Sequence, residues 1–523
     1  MKRAGILALA IALLPLAAAA QPTLVLLGGK VFTNDPAKPY VEAVAIKGNK
    51  ILAVGTDADI QALGGDANTR RIRLRGAVVI PGINDAHTHP GRGPVGLGIG
   101  TGADSTPSDL AVALSAVVEE SPAEMWLIGE IGGPIMLDPS VTRATLDKLA
   151  PNRKVLLHSF TGHGTILSSR ALQELGIQNS VTDPPGGRFG RNADGTLNGR
   201  AFEYAEWPII RKIAELTQSP GELTQALGDF SKEALHFGIT SIQAMPFEDD
   251  DVFEAAWKEA DSPIRVRHIF FPLVTPPVLP PRPATPPKGT NGLKWILDGT
   301  PIEKGAAVRT DYPGGGRGVM NFPSLTRQIK MGLDTNQQLL FHAAGDDTTA
   351  ALLAALKNTP NVEWPKKRPR IEHGDGLLPD LDTQARDLGV IVVLNPSHFL
   401  ARTLYPEGRY MRAQSLLAVP LRIAIGSDGP LNPYLNIMLA TERPDIRREE
   451  LTREQAVAAY TLGSAFAEMR DDKGVLAPGK LADLAVLSQD IFTVPASALP
   501  NTFSTLTIIN GKIVHEEEVV VEQ

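Results

Sequence analysis

Cysteine is absent from this 523-residue chain, and the absence narrows the chemistry that the chain can perform. Without cysteine there is no disulfide, no cysteine nucleophile, no iron–sulfur cluster and no cysteine-type zinc site. Any metal must therefore be held by histidine, carboxylate or modified lysine. A basic excess is also missing: the formal net charge is −7 and the isoelectric point is about 5.9, which argues against a nucleic-acid-binding protein.

Long hydrophobic runs are scarce, and the one that opens the chain has the features of a signal peptide. Two basic residues precede an apolar stretch over residues 4–17, and alanines at 18–20 provide small residues for cleavage. The stretch is too short for a membrane span, and no later stretch approaches that length. We therefore expect residues 1–20 to be removed and the protein to be exported, to the periplasm or beyond it. A retained N-terminal anchor is the alternative.

Both ends of the mature chain carry short apolar segments broken by glycine, asparagine and proline, which is typical of β-hairpins. The first end covers residues 23–54 and the second covers residues 482–516. Gly28-Gly29-Lys30 and Asn510-Gly511-Lys512 have the composition of tight turns. We therefore predict one small composite β-sandwich, built from residues 21–80 and residues 474–523.

The middle of the chain alternates apolar segments with helical ones, the pattern of a parallel sheet with crossover helices. Eight segments qualify as strands, which favours a barrel over an open sheet. They are residues 78–80, 239–244, 264–271, 293–298, 339–343, 370–373, 390–395 and 423–427. The first of them is expected to run into a loop that carries His87. The predicted fold class is α/β, with a (β/α)₈ TIM barrel over residues 81–473.

Two stretches depart from the barrel repeat. Residues 92–231 separate the first predicted strand from the second and are far longer than a crossover requires. We interpret them as an inserted subdomain over the barrel mouth. Residues 272–287 are dense in proline, which indicates an extended surface loop.

The residues that carry chemistry begin with His87 and His89, which follow an apolar strand and a Pro-Gly turn. Histidines at i and i+2 on extended backbone point to the same side, so both imidazoles can bind one metal ion. The spacing alone is a weak signal, because it often arises by chance. Its position at the end of a predicted strand strengthens the interpretation as a metal site.

Four further polar residues lie in or at the ends of later strands. They are Lys294, His342, His373 and Asp428. Active sites of such barrels sit at the carboxyl ends of the strands, so these four should converge with the histidine pair. A lysine in an apolar strand is costly unless it is neutral or paired, and Asp298 is the pairing alternative. Each residue alone is more often structural, but the set in this order indicates a metal-dependent active site.

The motifs around these residues resemble the amidohydrolase superfamily, and within it the amidohydrolase-3 branch that includes N-substituted formamide deformylase. The matching motifs are Pro81-Gly82-Ile83-Asn84-Asp85-Ala86-His87-Thr88-His89, Lys294 with Asp298-Gly299, His342-Ala343-Ala344-Gly345-Asp346, Ile371-Glu372-His373, Gly426-Ser427-Asp428 and Gly474-Val475-Leu476-Ala477-Pro478-Gly479-Lys480-Leu481-Ala482-Asp483-Leu484. The resemblance covers residues 24–516, nearly the whole mature chain. It implies a deformed barrel with a composite β-sandwich and one or two divalent metal ions, with Zn²⁺ as the expected metal.

The resemblance also implies a role for each residue of the set. The implied ligands are His87, His89 and Asp428 for a first ion, His342 and His373 for a second, and Lys294, N-carboxylated, as the bridge. Asp428 would in addition be the catalytic general base, which takes a proton from water and passes it to the leaving nitrogen.

Five more residues are candidates for substrate contacts. They are His163 in the insertion, Glu203 and Trp207 after glycine-containing turns, and Asn395 and His398 after the seventh predicted strand. Each has a plain alternative as a structural or surface residue. The other histidines are interpreted as structural or exposed, namely His158, His236, His268 and His515.

The leading hypothesis is an exported metal-dependent hydrolase that cleaves a C–N bond in an amide, cyclic amide, N-acyl or N-formyl compound. The resemblance supplies the bond type, whereas the residues supply the metal site. Ester or lactone hydrolysis by the same site is a second hypothesis, and a non-catalytic regulatory or binding protein is a third. A pure binding protein has no need of a proton shuttle at Asp428. The expected partner is a small-molecule substrate rather than nucleic acid, and assembly into a homo-oligomer is left open.

Overall fold

The structure is a computed structural model that describes residues 21–91, 93–248, 250–271, 292–406 and 408–517. The expected signal peptide, residues 1–20, and the proline-dense stretch, residues 272–287, lie outside the described residues. Within the described ranges, no helix has both the length and the apolar composition that crossing a membrane requires.

An eight-stranded parallel sheet forms the centre of the molecule. In chain order its strands are Ile83–Thr88, Ile239–Ala244, Arg265–Phe270, Gly292–Ile296, Gln338–His342, Arg370–Glu372, Ile391–Leu394 and Arg422–Ile425. Each strand pairs with the next in the chain. The chain after the last strand returns to the first, because the Ser427 N–H donates to Asp85 Oδ1 at 2.9 Å and the Asp428 N–H donates to the His87 carbonyl at 3.0 Å. The sheet is a nearly closed barrel, and the predicted fold class is confirmed.

The first barrel strand is not the one that the sequence predicted. Residues 78–80 belong to Val78–Pro81, which pairs with two strands of the sandwich instead. The chain passes from the sandwich to the barrel at Gly82, where a Cβ would lie 2.2 Å from the Thr240 side chain. Apolar residues continue across this junction, so hydrophobicity alone does not mark it. As a result, His87 lies inside the first barrel strand rather than in a loop after it.

Both ends of the described chain build a two-sheet sandwich, as predicted. One sheet contains, in order, Lys50–Gly55, Ala43–Lys47, Leu24–Leu27 and Arg70–Arg73. The other contains Lys512–Glu516, Ser504–Ile509, Leu484–Leu487, Val78–Pro81, Lys30–Phe32 and Tyr40–Val41. Leu26 and Val44 from the first sheet share one buried core with Val486 from the second. The sandwich is therefore a composite of the two chain ends.

Only one of the two predicted turns closes a hairpin. Asn510 and Gly511 have φ angles of 54° and 70°, as a type I′ turn requires, and they join two paired strands. Gly28 instead begins a crossing from Leu24–Leu27 in one sheet to Lys30–Phe32 in the other. The hairpin prediction for that segment is wrong, because glycine permits a step between layers as readily as a reversal.

Between the first and second barrel strands the chain forms a third sheet with its own core. In sheet order its strands are Gly187–Arg191, Leu197–Glu203, Thr165–Leu167, Lys154–Ser159, Trp126–Ile131 and Leu97–Gly98. Its helices are Pro107–Glu120, Gly133–Met136, Arg143–Leu149, Ser169–Glu174 and Trp207–Thr217. The helix Pro220–His236 runs through the predicted end of the insertion and packs against the second barrel strand. The bounds 92–231 stay a prediction.

The remaining helices connect or cover the barrel and sandwich strands. The α-helices are Asp57–Ala62, Asp250–Glu259, Thr326–Asp334, Asp346–Lys357, Trp364–Lys367, Asp382–Asp387, Gln414–Ala418, Pro433–Thr441, Arg453–Ala458 and Ser464–Ala467. Shorter 3₁₀ segments are Pro379–Leu381, Pro396–Leu404, Arg447–Glu449 and Ala496–Asn501, and Ala459–Gly463 is a π-helical turn. Several helices begin at a capping box, in which a Ser or Thr side chain accepts the N–H three residues on, as at Thr106 and Ser219.

Candidate metal centre

Six polar side chains meet at the carboxyl end of the barrel, and all six were predicted as metal ligands. They are His87, His89, Lys294, His342, His373 and Asp428, and they line one cavity. Parallel strands bring their carboxyl ends to the same side of a barrel, which is why residues so far apart in sequence become neighbours.

His87, His89 and Asp428 approach one another at distances suited to one metal ion. Nε2 of His89 lies 3.3 Å from Nε2 of His87 and 3.3 Å from Oδ1 of Asp428. Nε2 of His87 lies 3.7 Å from the same carboxylate oxygen. Ligand atoms of a tetrahedral site with bonds of about 2.0 Å are roughly 3.3 Å apart. The three side chains therefore fit a divalent ion without large movement.

The second ring nitrogen of each of these histidines has a fixed partner. Nδ1 of His87 lies 2.7 Å from Oε2 of Glu372, and Nδ1 of His89 lies 2.6 Å from the carbonyl oxygen of Met245. Both partners accept hydrogen bonds, so each Nδ1 carries the proton and donates it. The lone pair is then on Nε2, which is the nitrogen that faces the centre, as in histidine metal ligands generally.

His342 and His373 form another side of the same centre, with ring centroids 4.4 Å apart. One ligand atom each of His87, His373 and Asp428 lie within 4.8 Å of one another, so His373 also approaches the residues predicted for the other ion. Burial, and then neighbouring positive groups, hold the pKa values of His342 and His373 well below the usual value. Both imidazoles are therefore neutral at pH 7, which is the form that binds metal.

Lys294 is buried beneath these ligands. Its Nζ lies 3.3 Å from Nε2 of His87 and 3.6 Å from Sδ of Met245. Burial lowers the pKa of Lys294 to about 8. Asp298, the pairing alternative, is engaged elsewhere, because its two oxygens accept three backbone N–H groups at 2.9–3.0 Å. The structure therefore does not support the interpretation of Lys294 as the ion-pair partner of Asp298.

Asp428 stands where the centre opens into the cavity, with 18% of its side chain exposed. Its φ of 37° is rare for a residue other than glycine, and such conformations concentrate at functional sites. Gly426 permits the approach, since a Cβ there would lie 2.4 Å from the backbone nitrogen of His87. Burial alone would raise the pKa of Asp428, but the imidazoles of His87, His89 and His373 lower it well below its usual value. Asp428 is therefore a carboxylate.

Three of the five predicted substrate contacts line the cavity. They are His163, Trp207 and His398. The ring of His163 lies 4.7 Å from that of His342, and Nε2 of His398 lies 3.5 Å from Oδ2 of Asp428. Burial would lower the pKa of His163, but Glu203 raises it above the usual value. The protonated form of the His163 imidazole, which faces the centre from the insertion side, is thus favoured by Glu203.

Glu203 and Asn395, the other two predicted contacts, lie behind the cavity wall. Nδ1 of His163 lies 3.0 Å from Oε2 of Glu203. Nδ1 of His373 lies 2.9 Å from Oδ1 of Asn395, whose amide also donates to the Gly426 carbonyl at 3.0 Å. Both therefore contact a histidine that lines the cavity, and their role as substrate contacts stays a prediction.

Sequence reasoning missed the ion pair that supports His87. Glu372 is fully buried and accepts hydrogen bonds from Arg370 Nε at 2.8 Å and Nη2 at 2.9 Å, while its Oε2 also holds His87. Burial alone would raise the pKa of Glu372, but Arg370 and His87 lower it to about 2. The sequence did contain a signal for this pair. Arg370 and Glu372 are two residues apart and therefore lie on the same face of a short buried strand, directly before His373.

The centre opens into a cavity of about 1590 Å³ whose walls are largely apolar. Apolar lining residues include Leu137, Phe160, Trp207, Phe247, Leu400 and Leu404, and the acidic ones besides Asp428 are Asp104, Asp138, Glu233 and Asp375. Among the described residues that line it, Lys294 is the one lysine and there is no arginine.

The sequence pattern of the amidohydrolase family matches residues 71–515, from the first sheet of the sandwich to the last strand. The chain belongs to the amidohydrolase family. This amidohydrolase is 27% identical to protein LONG AFTER FAR-RED 3 of Arabidopsis thaliana, over 89% of the chain and 87% of that protein. It is 27% identical to YtcJ of Bacillus subtilis, named as an amidohydrolase, over 94% of the chain and 99% of YtcJ. It is 22% identical to N-substituted formamide deformylase of Arthrobacter pascens, over 94% and 98%.

Solved structures share the fold of this amidohydrolase. A metal-dependent hydrolase from Pyrococcus horikoshii superposes with a TM-score of 0.66 at 18% identity, over 91% of this chain and 99% of that one. A mutant of atrazine chlorohydrolase TrzN from Arthrobacter aurescens, complexed with zinc and atraton, gives 0.54 at 18% identity, over 95% and 96%. Membership of the amidohydrolase family makes the protein a hydrolase.

Proposed function

We propose that this hydrolase cleaves a carbon–nitrogen bond in an amide, cyclic amide, N-acyl or N-formyl compound. The observation that carries the proposal is the Asp428 carboxylate, which faces the cavity within 3.7 Å of ring nitrogens of His87, His89 and His373. An amine leaves poorly unless it is protonated, so amide cleavage needs a group that moves a proton from water to nitrogen. Ester cleavage does not need the second transfer. The position of Asp428 therefore favours the C–N bond.

The donor set of the centre fits zinc, which prefers imidazole and carboxylate ligands, and zinc is bound by TrzN. A divalent ion held there supplies an electrophile and lowers the pKa of water. Asp428 accepts the proton of the attacking water and returns it to the leaving nitrogen. His163 faces the same space, and in the protonated form that Glu203 favours it stabilises the negative charge that develops on the attacked oxygen.

The cavity favours a substrate that is bulky, apolar and not anionic. Apolar side chains form most of the wall, while Asp138 and Glu233 add negative charge to it. Away from the metal centre, where Lys294 and His163 lie, a free carboxylate on the substrate would meet no arginine or lysine among the described lining residues, and burying an unpaired charge is costly. Uncharged N-substituted formamides and N-acyl amines are the substrate classes that fit this cavity lining best.

The test is hydrolysis of matched compounds by the metal-loaded protein. We expect kcat/KM for N-acyl amino acid methyl amides to exceed that for the free acids by roughly tenfold or more. This ratio corresponds to a free-energy cost of about 1.4 kcal/mol for burying the unpaired carboxylate of the free acid. Chelation should abolish the activity and Zn²⁺ should restore it. Faster cleavage of esters than of amides across the panel would support the ester alternative. Full metal content with no hydrolysis would support a binding protein.

Export belongs to the same proposal, since the N-terminal sequence has the composition of a signal peptide. We expect mass spectrometry of the protein from its native host to show a mature chain that begins at Gln21, in the periplasmic or extracellular fraction. An intact Met1 form in the membrane fraction would instead establish the retained anchor.

A further inference from the structure

A second cluster of two histidines and a carboxylate lies at the amino end of the barrel strands, opposite the metal centre. His236 ends the helix Pro220–His236, three residues before the second barrel strand, while His515 and Glu517 come from the last strand and the residue after it. One ligand atom of each lies within 4.8 Å of the others. We propose that these three residues bind one divalent transition-metal ion of the zinc class, which ties the end of the chain to the barrel.

The distances fit a single ion. Nδ1 of His236 lies 2.9 Å and Nε2 of His515 lies 3.7 Å from the same oxygen, Oε1 of Glu517. These two separations bracket the roughly 3.3 Å expected between ligands of a tetrahedral zinc ion with bonds of about 2.0 Å. Two imidazoles and one carboxylate are also the protein ligands of open zinc sites, in which a fourth position is left to solvent.

An unpartnered buried atom points to the same ligand. Nε2 of His515 is buried, and within the described residues no hydrogen-bond partner reaches it. The oxygen of Glu517 at 3.7 Å is too distant for a hydrogen bond but well placed for a shared ion. A buried ring nitrogen without a partner is destabilising, and a bound cation would satisfy it.

The backbone around the group is fixed from both sides, so the ligands need little reorganisation. The ring of His236 stacks on that of Phe503 at 5.1 Å with an interplanar angle of 6°. The Thr507 hydroxyl donates to the Leu235 carbonyl at 2.7 Å and joins the helix end to the sheet. The Glu517 N–H donates to the carbonyl of Thr505 at 2.9 Å.

The site differs from the catalytic centre in exposure. The side chains of His236, His515 and Glu517 are 39%, 21% and 34% exposed. An ion there exchanges with solvent more readily than one beneath the cavity. We therefore expect it to affect stability and leave hydrolysis unchanged, which separates this inference from the proposed function.

The experiment adds Zn²⁺ to the holoenzyme and to three variants, then measures bound zinc by equilibrium dialysis and mass spectrometry, and Tm by calorimetry. His515→Ala and Glu517→Gln remove ligands. Glu516→Gln is the matched control, because it removes the same charge one residue away, where the carboxylate pairs with Arg70 at 2.9 Å instead. We expect the wild type and Glu516→Gln to bind one more equivalent of zinc than His515→Ala and Glu517→Gln. Zinc at a hundredfold excess over Kd should raise the Tm of the wild type and of Glu516→Gln by roughly 2 °C.

Cobalt gives an independent readout. Added Co²⁺ should produce the visible absorption of four-coordinate cobalt in the wild type and in Glu516→Gln beyond that seen in His515→Ala. Equal metal counts and equal zinc-dependent Tm shifts in all four proteins would overturn the proposal and leave a metal-free His–Glu ion pair at this place.

Discussion

Asp428→Asn is expected to lower kcat by a factor of roughly 100 to 10,000, the usual reach of general acid–base catalysis. The substitution preserves the size of the side chain but removes the group that accepts the proton of water and delivers it to nitrogen. Folding should survive, because Asp428 lies at the open end of the centre and not in the packed barrel interior. Steady-state kinetics, circular dichroism and metal analysis of the purified variant provide the measurement.

The control for this substitution is Asp375→Asn. Asp375 also lines the cavity, but its Oδ2 accepts a hydrogen bond from the Tyr405 hydroxyl at 3.1 Å, and it does not belong to the group of His87, His373 and Asp428 that could hold an ion. Its loss should therefore cost far less turnover than the loss of Asp428. A folded, metal-loaded Asp428→Asn variant with near-normal kcat would remove Asp428 from the proton-transfer step.

The ligands of the centre could be predicted because a simple rule converts sequence order into proximity. His342 ends one buried strand and His373 directly follows another, and strand ends of a parallel barrel meet on one side. Nothing about the pockets or the loops was needed for this step. The deformed barrel and the composite sandwich followed from the resemblance and from the β-rich ends.

The supporting contacts could not be predicted in the same way. The carboxylate of Glu372 holds an imidazole 285 residues earlier in the chain, and that of Glu203 holds an imidazole 40 residues earlier. Such pairs depend on how strands are staggered and on which rotamer each side chain adopts. Local composition predicts neither of these. The junction at Gly82 was missed for a related reason, since a continuous apolar run hides a change of sheet.

Lys294→Ala is expected to remove at least one equivalent of metal and to lower kcat by roughly 100-fold. This factor is the upper end of the range observed when a group that orients metal ligands is lost. Burial lowers the pKa of Lys294 to about 8, so the neutral amine forms much closer to neutral pH than for an exposed lysine. A neutral amine reacts with carbon dioxide, and the resulting carbamate is an anion with two oxygens. The Nζ of Lys294 lies 3.3 Å from Nε2 of His87, so a carbamate formed there would stand among the metal ligands. We therefore propose that Lys294 is carboxylated when the centre holds two ions.

Two observations distinguish the carbamate from a merely structural lysine. A short carboxylic acid added with metal should restore part of the activity of Lys294→Ala by filling the vacated bridge. The matched control is Lys473→Ala, because Lys473 is equally buried but pairs with Glu468 at 2.5 Å; this variant should keep its metal and gain nothing from added acid.

In the wild type, labelled bicarbonate should give a carbamate carbon signal by nuclear magnetic resonance that Lys294→Ala lacks. A fully metal-loaded crystal with an unmodified amine at Lys294 would overturn the bridge and leave hydrolysis at a single ion.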